Sequence, residues 1–116
     1  MYMESKKQNK EVVLPMRVGF ILVDAKDIIR CKGDGMYTTF FLSDKRTIVV
    51  CKNLKEWEKK LDQSDFIRVH TTHLVNRIYI KEYLGGKVSK LVMTDNSCVP
   101  VARRRKHFLK NKTKCF

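Results

Sequence analysis

Closely paired cysteines are missing from this sequence. Cys31, Cys51, Cys98 and Cys115 stand far apart, and no Cys-x-x-Cys occurs. A structural zinc site needs ligand pairs at short spacing, so none is expected. The thiols are expected to be reduced, as in a cytoplasmic protein. Cys31, Cys51 and Cys98 fall in predicted strands and are expected to be mostly buried, leaving Cys115 as the reactive one. No apolar run approaches the ~20 residues of a membrane span, and MYMESKKQNKE at the start lacks the apolar segment of a signal peptide. Internal repeats, low-complexity segments and heptad runs are absent too. Gly33-Asp34-Gly35 lacks the spacing and the Lys-Ser/Thr pair of a phosphate loop. Asp24, Asp27 and Asp34 do not form a carboxylate pair beside an apolar stretch, so acid–base catalysis is not indicated. His70 and His73 have the spacing of two metal ligands but lack a third. The expectation is a structural His70 on a strand and a surface His73, with no cofactor, no metal and no enzyme.

Acidic residues are also scarce. There are 12 Asp+Glu against 25 Lys+Arg, a formal net charge of +13 on 116 residues. Residues 1–58 carry 11 basic and 8 acidic side chains; residues 59–116 carry 14 and 4. From Arg103 onward there are seven basic residues and no acid. Such a field attracts polyanions, whether nucleic acid, an anionic membrane surface or an acidic protein, and opposes self-association. Hydrophobic residues make up 43%, enough for one compact core.

The predicted elements are mostly strands. Residues 1–13 read as a polar tail, with structure opening at Leu14-Pro15. Val18–Val23, Ile28–Lys32, Met36–Leu42 and Thr47–Cys51 are rich in β-branched and aromatic residues. Turn chemistry separates them at Asp24–Asp27, Gly33–Gly35 and Ser43–Lys45. Leu54, Trp57 and Leu61 then fall on one helical face, Asn53 suits the N-cap, and Trp57 is expected in the core. Strands resume at Phe66–His70, Ile78–Tyr83, Lys87–Met93 and Cys98–Val101. In the third block Ile78 and Ile80 alternate with polar neighbours like a half-buried strand. Residues 102–110 read as a short terminal helix, and 111–116 as a basic tail.

Five segments, in order, resemble the LytTR DNA-binding domains. Arg68–Asn76 (RVHTTHLVN), followed by Ile78–Ile80 and Lys81-Glu82, is similar to the family's central signature. Leu14-Pro15 with Gly19 resembles its opening strand, and Asp27-Ile28 with Gly33–Thr38 its DI…DG-Y-T loop. Asn53–Glu56 resembles its helix start, and Val99–Arg105 its closing PVSRR. The resemblance spans about residues 14–110. It implies a mainly β fold, an elongated arrangement of small antiparallel sheets with one or two short helices. It also implies an output domain of two-component transcription regulators that inserts loops into the major groove of promoter repeats as paired protomers. Positional transfer puts Lys32, Met36 and Tyr37, Thr71 and Thr72, and the run Arg103, Arg104, Arg105, Lys106 at the DNA. The sequence departs from the family at Thr71-Thr72-His73, where R-S-Y is usual, and at Ala102, where Ser is usual. With only a short segment ahead of the domain, a separate signalling chain is one expected source of regulation. A membrane is not an expected partner.

The same residues have a chemistry of their own. An Arg fork matches guanine O6 and N7, so Arg103 or Arg104 can read a base pair. Lysines suit phosphates, and Thr71 and Thr72 can bond a phosphate or touch a thymine methyl. Two alternatives stay open from the residues. One is an RNA- or single-strand-binding β module that stacks bases on Tyr37, Tyr79 and Tyr83. The other is a protein-interaction module for an acidic partner.

Overall fold

The computed structural model describes residues 10–107 and residue 109. Strands β1 (Glu11–Pro15) and β2 (Phe20–Asp24) form a two-stranded ribbon. Strands β3 (Ile28–Asp34), β4 (Tyr37–Leu42), β5 (Thr47–Val50), β6 (Phe66–His70) and β7 (His73–Asn76) form a five-stranded sheet in the order β5-β4-β3-β7-β6. Strands β8 (Ile80–Leu84), β9 (Lys90–Met93) and β10 (Cys98–Pro100) form a third sheet. Every strand pair is antiparallel. The helix α1 spans Leu54–Lys60, and the Asn53 side chain accepts from the Glu56 N–H at its N-cap. The mainly β fold expected from the sequence is present.

The five-stranded sheet is the middle layer, because alternate side chains of its strands enter two different cores. Ile28, Cys31, Phe40, Leu42, Phe66 and Leu74 face the ribbon and α1, where Leu54, Trp57 and Leu61 join them. Ile29, Ile67, Val69 and Val75 face the third sheet, with Leu91, Met93, Val99 and Leu109. Trp57 is 2% exposed and meets Phe40 edge to face, ring centroids 4.9 Å apart. Gly33 is the point where α1 sits down on the sheet. A Cβ there would lie 2.8 Å from Leu54 Cβ, well inside contact distance. Gly33→Ala is therefore expected to destabilise the fold by about 1–3 kcal/mol through overpacking. A denaturant midpoint unchanged from the parent would show that the helix docks elsewhere.

Several sequence expectations are corrected. Strand β1 begins at Glu11, so residues 11–13 of the expected tail pair with β2. Strand β7 was not anticipated at all. Its four residues are all buried, so no in–out alternation marks it. The expected strand around Ile78 is instead a 3-10 turn, Arg77–Tyr79, capped by the Asn76 side chain, and Ile78 is 56% exposed. Alternation of Ile with polar residues does not distinguish a strand edge from a short turn. Lys87 and Val88 belong to an exposed loop rather than to β9. The expected terminal helix opens as a 3-10 turn, Arg103–Arg105, while the 111–116 tail lies outside the described residues.

Cysteine burial also differs. Cys31 is buried, and burial pushes its thiol pKa up; Cys51 and Cys98 are exposed. Cys51 lies just past the end of β5, and Cys98 opens β10 on its outer side. A thiol reagent is expected to modify Cys51 and Cys98 quickly and Cys31 only on unfolding, read by mass spectrometry of the native chain. Rapid labelling of Cys31 would contradict its place in the core. Cys115 lies outside the described residues.

Candidate nucleic-acid interface

Two kinds of turn cap the two ends of the middle sheet. At one end, short aspartates close the turns by accepting backbone N–H groups two residues on. Asp24 Oδ1 accepts from Lys26, Asp44 from Arg46 and Asp62 from Ser64, at 2.9–3.1 Å. Asp27 and Asp65 sit at the same end, just ahead of β3 and β6. The Arg46 N–H holds the Asp44 pKa below its usual value, and the Lys10 ammonium does the same for Asp62.

The opposite end is built differently. The β3–β4 turn uses Gly35 at φ 60°, which a Cβ would disfavour. The β6–β7 turn uses Thr71-Thr72 and is organised by Arg68. Its guanidinium donates to the carbonyls of His70 and Thr71 and pairs with Glu58 of α1. The Gly33 N–H donates to the Thr72 carbonyl at 2.9 Å and locks the two turns side by side. Met36 and Tyr37 project from this edge, 67% and 54% exposed, and Lys32 and Thr71 are exposed beside them.

Two histidines stiffen the same turn. The Thr72 N–H donates to His70 Nδ1 at 3.2 Å, so that nitrogen carries no proton. The Thr72 hydroxyl lies 2.9 Å from Nδ1 of both rings. Having one proton, it donates to His70 and accepts from the Nδ1–H of His73. This reverses the expected roles: His73 is the buried ring and His70 the partly exposed one. Burial, with Arg30, His70 and Lys32 nearby, holds the His73 pKa down to about 4, so it is neutral at ordinary pH. No group of three metal-ligating side chains occurs among the described residues.

The arginine run joins the same end through β6. The Ala102 N–H donates to the Val69 carbonyl at 2.8 Å, covering part of this edge strand, and Arg105 Nη1 reaches the Arg68 carbonyl at 3.5 Å. Arg105 is thus half-buried and faces inward, whereas Arg103 and Arg104 are exposed. All three expected regions, spread over residues 32–106 of the sequence, meet around the ends of β3, β6 and β7. Asp34 is the acid in those turns. Sequence reasoning missed Arg68 as the organiser of the β6–β7 turn, and it missed the loop Gly85–Val88, which lies beside Arg103 across a cleft. Gly85-Gly86 signalled a turn there but not its neighbour.

The model of the LytTr DNA-binding domain family matches residues 19–114. This chain belongs to that family. The LytTR domain is 42% identical over 93 residues to the heme-containing CO-sensing transcriptional regulator RcoM 2 of Paraburkholderia xenovorans, covering 78% of the chain and 34% of that protein. It is 35% identical over 114 residues to the sensory transduction protein LytT of Bacillus subtilis, covering 84% of the chain and 47% of that protein. The chain therefore spans between a third and a half of these relatives' lengths. A solved LytTr domain of a putative methyl-accepting/DNA response regulator from Bacillus cereus shares the fold. The TM-score is 0.77 at 23% identity, over 91% of this chain and 97% of that one. The family is one of DNA-binding domains of transcription regulators, not of enzymes.

Proposed function

We propose that this LytTR domain binds specific duplex DNA with the turn-bearing end of its middle sheet. The observation that carries this reading is the uneven pairing of charge. At one end of the sheet the aspartates are matched by cations, Asp62 by Lys10, Asp44 by Arg46 and Asp65 by Arg77, whereas Lys32, Arg103 and Arg104 at the end opposite are exposed and belong to none of the ion pairs among the described residues. A molecule polarised in this way is steered toward a polyanion with one end leading. Lys32, Thr71 and Lys106 then hold phosphates, while Met36, Tyr37 and the forks of Arg103 and Arg104 enter the major groove; Thr72, whose N–H and hydroxyl both donate to His70, shapes the turn instead. Arg105 keeps the run in place. Paired protomers on repeated half-sites of a promoter, controlled from a separate chain or a further segment, complete the reading, in the cytoplasm. No helix among the described residues is long and apolar enough to cross a membrane.

Base stacking on single strands is less well supported. The Tyr79 hydroxyl donates to the Lys26 carbonyl at 2.6 Å, Tyr83 bonds Ser89, and both rings pack against the second core. That leaves Tyr37 alone of the three as a stacking platform.

The test is selection of bound sites from a random duplex library, followed by affinity measurements across salt. With about five phosphates neutralised, log K is expected to fall against log salt with a slope of about −4 to −5. Single-stranded DNA and structured RNA are expected to compete poorly. A flat salt profile, or better competition by RNA, would overturn the reading.

A further inference from the structure

Beside Arg103 lies a cleft of about 370 Å³ lined by His70, Lys87, Ser89, Ala102, Arg103 and Lys106, with Gly86 and Val88 at its loop side. Three cations line it and no carboxylate does. Two other clefts of similar size among the described residues differ. One contains Asp95 with Lys45 and Arg46; the other has Arg17 as its one charge, among apolar groups.

The walls of this cleft are fixed at their roots. Ser89 is buried; its carbonyl accepts from the Val101 N–H at 3.0 Å, and its hydroxyl meets the Tyr83 hydroxyl at 3.2 Å. One residue on, the Ala102 N–H is bonded to Val69, next to His70 on β6. The β8–β9 loop, the arginine turn and the end of β6 are thus tied together through consecutive residues. Gly86, at φ 114°, turns the loop so that exposed Lys87 stands over the cleft. With Nδ1 of His70 committed to the Thr72 N–H, the proton of its neutral ring lies on Nε2, which makes that nitrogen a donor.

We propose that this cleft seats one phosphate of the DNA backbone, gripped by Lys87 and Lys106 with His70 as a further donor, which makes the β8–β9 loop a fourth DNA-contacting element. The proposal rests on the duplex-binding reading above. Its effect is positional. A phosphate held between loop and turn fixes the distance from the backbone to Arg103 at the rim, and so aims that fork at the base edges.

Two measurements test it. In the first, inorganic phosphate is titrated into the chain and backbone amides are followed by NMR. Shifts are expected at Lys87, Ser89, His70 and Arg103, lost in Lys87→Ala and kept in Lys60→Ala, a change on the exposed C-terminal turn of α1. Shifts scattered over the surface, or unchanged in Lys87→Ala, overturn the site. In the second, Lys87→Ala is expected to weaken cognate and random duplex by a common factor and to lower the salt slope by about one. Duplex binding undiminished in Lys87→Ala overturns the clamp and leaves the DNA reading standing. Phosphate binding in the cleft without any duplex binding overturns the DNA reading and leaves an anion site.

Discussion

Arg103→Ala is expected to cost about 1–3 kcal/mol on the selected DNA site and much less on random duplex, so that the specificity ratio narrows. A guanidinium fork discriminates a base pair only when its direction is fixed. Arg103 follows a residue whose N–H is hydrogen-bonded to β6, and it opens a 3-10 turn closed by the Arg105 N–H to the Ala102 carbonyl at 3.0 Å. Its side chain is exposed, so it is held at the root and free at the tip. Lys106, just past the same turn, is a flexible point charge. Lys106→Ala is expected to weaken both duplexes alike and to reduce the salt slope by up to about one. Both variants are compared on both duplexes at one salt concentration. Equal losses for Arg103→Ala on the two duplexes would make it a phosphate contact and transfer base reading to Arg104 or the Met36-Tyr37 edge.

The largest effect on stability is expected at Trp57. Its ring fills the space between α1 and the middle sheet, against Phe40, and truncation leaves a cavity that rigid strands cannot close. Trp57→Ala is expected to cost about 3–5 kcal/mol in denaturant unfolding. Trp57→Phe is expected to cost far less, for a reason specific to this site. The Trp57 Nε1–H is buried and has no hydrogen-bond partner among the described residues. A phenyl ring keeps much of the packing and removes that unpaired donor, whose burial costs about 1–3 kcal/mol. If the two variants are equally destabilised, the indole nitrogen is paired in solution and the comparison fails. The DNA consequence of Trp57→Ala follows from Gly33. The helix rests on β3 one residue from Lys32, so loosening α1 loosens the β3–β4 turn.

The local rules carried much of the fold. Turn residues placed the breaks, the spacing of Leu54, Trp57 and Leu61 placed α1 within a residue, and Asn53 marked its start. Family motifs named the three turns before their geometry was on hand. They were legible where a motif serves a local backbone need: Gly35 a positive φ, Asn76 a cap.

Burial in the short segments was not legible. His70 and His73 are three residues apart in nearly the same local sequence, yet β7 runs inside the sheet and β6 along its edge. Position in the strand order, not residue type, puts His73 in the core and leaves His70 beside the cleft. Cys51 and Cys98 are outside for the same kind of reason: each lies at the end of a strand with one open side.

By itself, the sequence determined that this protein is a basic, mainly β LytTR domain with its cations weighted toward the C-terminal half. Only the tertiary structure decided where that charge acts. Charge along a chain says nothing about direction in space until strand pairing fixes it. Antiparallel pairing sends the aspartate turns to one end of a sheet, and backbone hydrogen bonds bring Thr72 to Gly33 and Ala102 to Val69. Those pairings are long-range contacts, made by backbone groups that every residue shares, so no side chain in the sequence announces them.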